Sequence, residues 1–346
     1  MNEQNILNPG PLLDEKGDLA EAGYAFSLVK EYRRSLVKGG KNRLKEWDYY
    51  YVGNASYGIA LTVANNSYMG LVSVSVLDFE DPSDVSCSFM SAFPGEKILL
   101  PETSSEGDVK VEDKKKGYSF AFTHEGKGKR RLVVYVKEMG KRKESFHCDI
   151  ALEESNDSSL VIATPFKKKG HFYYNQKINN LFSHGYAKLG ERTLDFNSSC
   201  QGVLDWGRGV WTYKNTWYWS SLSSRQDGHL IGWNLGYGFG DTSKASENVF
   251  YYDKKAYKLG RVRFDIPISP KGGDEFMKDW AFHFPDDSFE LSFHPIYNRH
   301  SDANVLLIRS NQNQVFGLFS GSILLEGKAV SFSNLPGFAE KVFNKW

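Results

Sequence analysis

The stretch Val72-Ser73-Val74-Ser75-Val76 contains the pattern that decides the fold class. Apolar and hydroxyl side chains alternate with a period of two, which in a β-strand places the valines on one face and the serines on the other. Similar alternation recurs later in the chain, at 118–123, 132–137, 262–266, 289–293 and 315–325. The sequence therefore predicts an all-β protein.

Turns rich in glycine and charged residues separate these segments. They include Glu125-Gly126-Lys127-Gly128, Gln226-Asp227-Gly228 and Glu326-Gly327-Lys328, which have the composition of hairpin turns. Short strands joined by tight turns, without long helical segments between them, form antiparallel meanders. We therefore predict β-barrels or β-sandwiches and not a parallel α/β sheet.

The chain is long enough for two domains, because it has 346 residues and a domain has roughly 150. The segment 164–170 combines a proline, three lysines and a glycine, which is typical of a surface connection. The aromatic segments 47–51 and 217–219 are each followed by a turn and an alternating segment, which suggests two copies of one β fold. Only residues 18–37 have apolar spacings that are compatible with one or two short helices.

Composition argues against several classes of partner. The 43 basic and 42 acidic side chains give a net charge of +1, so we expect no nucleic-acid partner. No apolar segment approaches the ~18 residues of a membrane span, and the polar N-terminus lacks the pattern of a signal peptide. Cys87, Cys148 and Cys200 are far apart and form no CxxC. We therefore expect a cytoplasmic protein without integral membrane contact, a metal ion or another cofactor.

Tryptophan is concentrated in one part of the chain, since five of the eight lie between residues 206 and 233. Asp205 and Arg208 lie in the same segment, which is interrupted by glycines. A carboxylate or guanidinium among indoles would be in a low dielectric, where its charge becomes useful for catalysis. The alternative is a structural Asp205–Arg208 pair that fixes a turn beneath an aromatic core.

The segment 231–241 has a large residue at nearly every odd position and Gly or Asn at every even position. As a strand it would have one bulky face and one bare face, against which a ligand, a backbone or large side chains could lie. Glu247 and Asn248 begin the next apolar run and could supply an acid, a base or a substrate anchor, or form a solvated turn. His184 could carry a proton, although a single histidine is more often structural.

Several motifs together resemble the bacterial domain-of-unknown-function 2804 family, nearly from end to end of the chain. The motifs are Arg43-Leu44-Lys45-Glu46-Trp47-Asp48-Tyr49-Tyr50, Asp205-Trp206-Gly207-Arg208-Gly209-Val210-Trp211, Trp217-Tyr218-Trp219, Gly236-Tyr237-Gly238-Phe239-Gly240-Asp241, Ser246-Glu247-Asn248 and Gly337-Phe338-Ala339-Glu340. This resemblance implies no assigned activity and no catalytic residues. More distantly, the chain is similar to two-domain lipocalin-like proteins that include carotenoid hydratases and tocopherol cyclases, an analogy at the level of fold.

We therefore expect two tandem lipocalin-like antiparallel β-barrels, at 45–164 and 171–346, behind a partly helical N-terminal arm at 1–44. The expected ligand-binding residues are Trp206, Trp211, Trp217, Trp219, Trp233, Tyr237 and Asn248.

The leading hypothesis is binding, with conversion, of a small, largely apolar molecule by acid-initiated addition, cyclisation or isomerisation. Asp205 or Glu247 would donate the proton, Arg208 would orient a polar group, and His184 is a further candidate. A carbohydrate-active enzyme with paired carboxylates and a non-catalytic lipid or pigment carrier are the alternatives.

Overall fold

The computed structural model describes residues 4–38, 42–285, 289–305 and 308–345. Strands account for 64% of the chain and helix for 2%, and nearly all strands belong to two large, curled antiparallel sheets. The prediction of an all-β, barrel-like fold is confirmed. No helix in the described ranges is long and apolar enough to cross a bilayer.

The N-terminal arm is extended, so the prediction of helices in 18–37 is wrong. The arm contains β1 (Gly10–Pro11), β2 (Gly23–Ala25), β3 (Lys30–Glu31) and one short 3-10 helix (Arg34–Leu36). The backbone of Tyr24 bonds to Asn5 and Leu7 at 2.9 and 2.8 Å, which leaves it unavailable for helical bonding. The arm therefore bonds mainly to itself in extended form, with β1 paired to β3, and β2 also pairs with a strand of the first large sheet at 160–165.

The first large sheet is built from the strands that precede residue 211. They are β4 (Leu44–Gly53), β5 (Tyr57–Asn65), β6 (Met69–Asp78), β7 (Ser83–Ala92), β8 (Val109–Asp113), β9 (Tyr118–Gly126), β10 (Lys129–Met139), β11 (Glu144–Glu154), β12 (Leu160–Pro165), β13 (Phe172–Leu189), β14 (Arg192–Phe196) and β15 (Gln201–Val210). The main path runs β7-β6-β5-β4-β15-β13-β11-β10-β9-β8; β12 and β14 pair with β13, and β2 of the N-terminal arm joins the same sheet by pairing with β12. A second 3-10 helix, Gly95–Lys97, lies between β7 and β8.

The second large sheet contains the remaining strands, in the order β19-β18-β17-β16-β24-β23-β22-β21-β20. They are β16 (Lys214–Gln226), β17 (His229–Tyr237), β18 (Val249–Tyr252), β19 (Lys255–Lys258), β20 (Arg263–Asp265), β21 (Trp280–His283), β22 (Phe289–Val305), β23 (Ile308–Leu325) and β24 (Lys328–Lys345). Each sheet encloses its own apolar core.

The two sheets repeat one strand order, as the similar aromatic segments suggested. The meander β4 to β7 corresponds to β16 to β19, and the first strand of each meander pairs with the last strand of its sheet, β15 or β24. The change of sheet falls between Val210 and Lys214. The lysine-rich segment 164–170 instead lies at the turn between β12 and β13 of the first sheet, and the division into domains at these residues stays a prediction.

The outer faces of the two sheets pack against each other, and we call this contact the inter-sheet interface. One buried cluster at its centre combines Tyr49, Tyr51, Trp219, Phe316 and Phe338 with smaller apolar residues. A second cluster combines Ile162, Tyr173, Trp211 and Phe239. Aromatic side chains thus connect the two sheets as well as filling their cores, and polar residues lie between these two clusters.

Candidate functional site

Asp205 and Arg208 lie on opposite faces of β15, because they are three residues apart in a strand with a period of two. Asp205 faces the inter-sheet interface, whereas Arg208 points into the first core. The Arg208 guanidinium contacts the Asp48 carboxylate at 3.0 Å and donates to the carbonyl oxygens of Trp47 and Pro101 at 2.8 Å. The Asp205–Arg208 pair considered from the sequence therefore does not form, and Arg208 lies on the other side of the strand from the Asp205 carboxylate.

Asp205 instead pairs with Lys177 on the adjacent strand. The Lys177 ammonium lies 2.9 Å from Oδ2 of Asp205, and the side chain of Asn175 donates to Oδ1 at 2.5 Å. The ammonium also lies 3.9 Å from the ring centroid of Trp219, within the range of a cation–π contact. This ion pair is buried at the inter-sheet interface, so its two charges are compensated by each other and not by water.

The five clustered tryptophans belong to three environments and do not line one barrel wall. Trp206 is buried in the first core, where Arg208 lies 4.3 Å from its ring centroid. Trp233 is buried in the second core among phenylalanines. Trp211, Trp217 and Trp219 lie at the inter-sheet interface. Because protein cations already cover Trp206 and Trp219, those indoles cannot accept a ligand cation on the same face.

The bare face of β17 is filled by side chains from elsewhere in the chain. A Cβ added to Gly232 would lie 2.6 Å from Oδ1 of Asn180, and one added to Gly236 would lie 2.8 Å from the carboxyl carbon of Glu247. The glycines therefore admit an amide and a carboxyl group between the sheets. The alternation predicted a strand with a bare face, and the side chains that occupy that face come from the strand at 172–189 and from the segment that follows β17.

Glu247 is a buried carboxyl group with a raised pKa. Its pKa is raised from 4.5 to about 7, chiefly by burial; the Lys177 ammonium opposes this shift and the Asp205 carboxylate adds to it. Its neighbour Asn234 donates to the Glu247 carbonyl oxygen at 2.6 Å and accepts the Trp219 indole N–H at 2.6 Å. Glu247 can therefore hold or release a proton near neutral pH.

Glu340 is a second such carboxyl group, which the sequence did not single out as functional. It accepts the Trp217 indole N–H at 3.0 Å and the Gln314 side-chain N–H at 3.1 Å. Burial raises its pKa to about 7, against the opposing effects of Trp217 and Lys177. The sequence signal that could have identified Glu340 is an acidic residue directly after the apolar residues Phe338 and Ala339, because apolar neighbours in a strand indicate a buried environment.

Strand register brings these groups into one row. Glu340 pairs with Trp219, and Trp219 pairs with Gly236, against which Glu247 packs. Neighbouring strands lie about 4.8 Å apart, so the Cα atoms of Glu340 and Gly236 are about 10 Å apart. Two protonatable carboxyl groups thus lie in the strands on either side of Trp219, and the ammonium group of Lys177, which pairs with Asp205, lies over the Trp219 ring.

The remaining candidate residues lie outside this row. His184 is exposed on β13, seven residues from Lys177, which places it on the order of 20 Å along the strand. Tyr237 points towards the second core and stacks on Tyr218 with ring centroids 4.5 Å apart. The side chain of Asn248 accepts the Gly236 N–H at 2.7 Å. Asn248 therefore fixes the segment that carries Glu247 onto β17.

A cavity of about 380 Å³ opens at this end of the second sheet, which is within the size range of small-molecule sites. Its wall includes Gly236, Tyr237, Ser246, Asn248 and Val262. Glu247 lies between two of these wall residues, and its carboxyl group contacts a third, Gly236. No three His, Cys, Asp or Glu side chains in the described ranges come together in a way that could hold a metal ion.

The fold and these residues define a class of protein with two curled antiparallel sheets and a buried acid–base row between them. The chain belongs to the family described as domain of unknown function DUF2804, which matches residues 3–346. No curated protein matches the sequence.

Two crystal structures have a similar fold. A candidate AttH from Nitrosomonas europaea aligns with a TM-score of 0.55 and 11% identity, over 97% of this chain and 98% of that chain. Kievitone hydratase from Nectria haematococca aligns with a TM-score of 0.50 and 9% identity, over 99% and 98%. At such low identity the similarity extends to the fold alone.

Proposed function

We propose that the protein binds a small, largely apolar molecule at the cavity beside Gly236 and converts it by proton transfer from Glu247. The observation that carries this proposal is the position of Glu247, a buried carboxyl group with a pKa raised to about 7 that packs against Gly236, a residue of the cavity wall. Asp205 is the weaker candidate donor, because its carboxylate is engaged by Lys177 at 2.9 Å. A proton donor must carry a proton before it reacts.

The chemistry of such a step is balanced without a further reactant. Protonation of a carbon–carbon double bond by Glu247 forms a C–H bond and leaves a carboxylate and a cationic carbon. Capture by water gives addition, capture by an internal nucleophile gives cyclisation, and loss of a neighbouring proton gives isomerisation; in each case a proton returns to the carboxylate. The fold shared with a protein named as a hydratase makes addition of water the first of these reactions to test.

Glycoside hydrolysis is less well supported. It requires two carboxyl groups about 5 to 10 Å apart on either side of an open cleft. The side chains of Asp205, Glu247 and Glu340 are buried, at 7%, 6% and 9% exposure. A sugar could not reach two of them without separation of the sheets.

Mass spectrometry of the freshly purified protein, before and after solvent extraction, tests the proposal. We expect a bound small molecule in both the wild type and Glu247→Gln. Incubation of that molecule in D₂O should place one deuterium on a carbon of the product with the wild type, and conversion should be lost with Glu247→Gln. Glu290→Gln, on the exposed side of β22, is the matched control. A molecule that the wild type binds and returns unchanged would identify a carrier instead.

A further inference from the structure

The cavity at the end of the second sheet has an apolar floor and a polar rim. Tyr237 and Val262 form the floor, and both contact the second core. Thr242 and Ser243 are on the rim, whereas Ser246 is buried and its hydroxyl group donates to the Leu259 carbonyl oxygen at 2.8 Å. A ligand that matches this arrangement has an apolar body and one polar end, because hydroxyl groups serve as donors to an oxygen-rich group.

The rim also carries a positive charge without an ion-pair partner among the described residues. Arg261 lines the cavity and is exposed, and it forms no ion pair with any residue in the described part of the chain. Arg263, two residues further along, is also exposed but pairs with Asp265 at 2.8 Å. The two arginines therefore differ in the partner available to them and not in their exposure.

The acidic residue on the rim has a partner of its own. Asp241 accepts the backbone N–H of Ser243 at 3.0 Å, which holds its carboxylate within its own turn. The segment that leads to Arg261 is anchored by Asn248, which donates to the Gly260 carbonyl oxygen at 2.7 Å while accepting the Gly236 N–H. Arg261 thus directly follows a residue that Asn248 ties to β17.

We propose that the cavity takes an amphipathic anion, with its apolar body against Tyr237 and Val262 and a carboxylate against Arg261. The inference rests on the proposed function, since it names the chemical class of the molecule bound at that site. Arginine is suited to this role because its planar fork of donors matches the two oxygens of a carboxylate. Thr242 also lines the cavity and adds a hydroxyl group to its polar part.

A matched pair of probes tests this inference. 2-Naphthylacetate and 2-naphthylethanol have the same aromatic body and differ in the charge at its end. Isothermal titration calorimetry with the full-length wild type should give tighter binding of the acid than of the alcohol. In Arg261→Gln the acid should bind about tenfold more weakly, as expected for one charge-assisted hydrogen bond, and the alcohol should be unaffected. Arg261→Lys should retain part of the preference, and Arg263→Gln should retain all of it.

Other results of this titration would contradict the anionic ligand alone or the cavity as a binding site. Equal binding of the acid and the alcohol by the wild type, or an acid preference that survives Arg261→Gln, would overturn the assignment of an anionic ligand while leaving the proposed function intact. Failure of both probes to bind would remove the cavity as a binding site, and the proposed function with it. Thermal unfolding of each variant verifies that these exposed substitutions leave the protein folded.

Discussion

Glu247 and Glu340 should make the stability of the protein fall as the pH rises. In both residues the folded-state pKa is about 7, above the ordinary value of 4.5, so the folded protein binds a proton that the unfolded chain has released. The resulting stabilisation is fully present below pH 4.5 and is lost between pH 4.5 and 7. Each carboxyl group contributes on the order of 3 kcal/mol to the free energy of unfolding that is lost over this pH range. Glu247→Gln and Glu340→Gln should therefore raise the free energy of unfolding relative to the wild type at pH 8.

Urea unfolding of the wild type and both variants at pH 4.5 and pH 8 measures this effect. The advantage of each glutamine should grow between these two values, because glutamine resembles the neutral carboxyl group at every pH. Glu290→Gln changes an exposed glutamate and should show no such growth. A stability difference that is constant between pH 4.5 and 8 would contradict burial as the cause of the raised pKa values.

At the scale of a single element, β15 has one face in the first core and one at the inter-sheet interface, and the two faces should respond differently to substitution. A Cβ added to Gly207 would lie 2.0 Å from the Trp47 ring, which stacks on Tyr173. A Cβ added to Gly202 would approach no atom more closely than 3.2 Å. Gly207→Ala should therefore lower the free energy of unfolding by about 1 to 3 kcal/mol more than Gly202→Ala. Urea unfolding of the two variants provides the comparison, and equal losses would show that Trp47 moves aside without cost.

The same strand shows what the sequence could and could not predict. Alternation identified strands because apolar periodicity is a local property of the chain. Alternation could not identify the outer face of β15, because the residues on both faces of this strand are buried and the two faces do not differ in the way that alternation detects. The spacing of Asp205 and Arg208 already placed them on opposite faces, and their separation could have been predicted from parity alone. The position of Glu340 beside Trp217 and Trp219 could not, because it depends on pairing between strands more than 100 residues apart.

At the scale of the whole molecule, two copies of one strand order meet through their outer faces. A surface that would be solvated in a separate barrel here contains Tyr49, Trp219, Phe316 and Phe338 together with the Lys177–Asp205 ion pair. The aromatic content of the sequence is therefore explained by three apolar regions, two cores and one interface. A polar row enclosed by such an interface is desolvated by both sheets at once, which is why two carboxyl groups in it have raised pKa values.

The order of the strands also predicts where the chain can be divided. A fragment of residues 1–211 contains all strands of the first sheet, whereas 1–168 lacks β13 and β15, which connect β11 to β4. We expect 1–211 to unfold cooperatively in urea and to associate with a separately produced fragment of residues 212–346, because their outer faces form the inter-sheet interface. The fragment 1–168 should show no cooperative transition, because β4 and β11 then lose the strands that join them. Circular dichroism during urea unfolding distinguishes the two cases. A cooperative transition in 1–168 would mean that the first fold is complete before β13 and that the division near residue 168, not the one near 211, separates the two units.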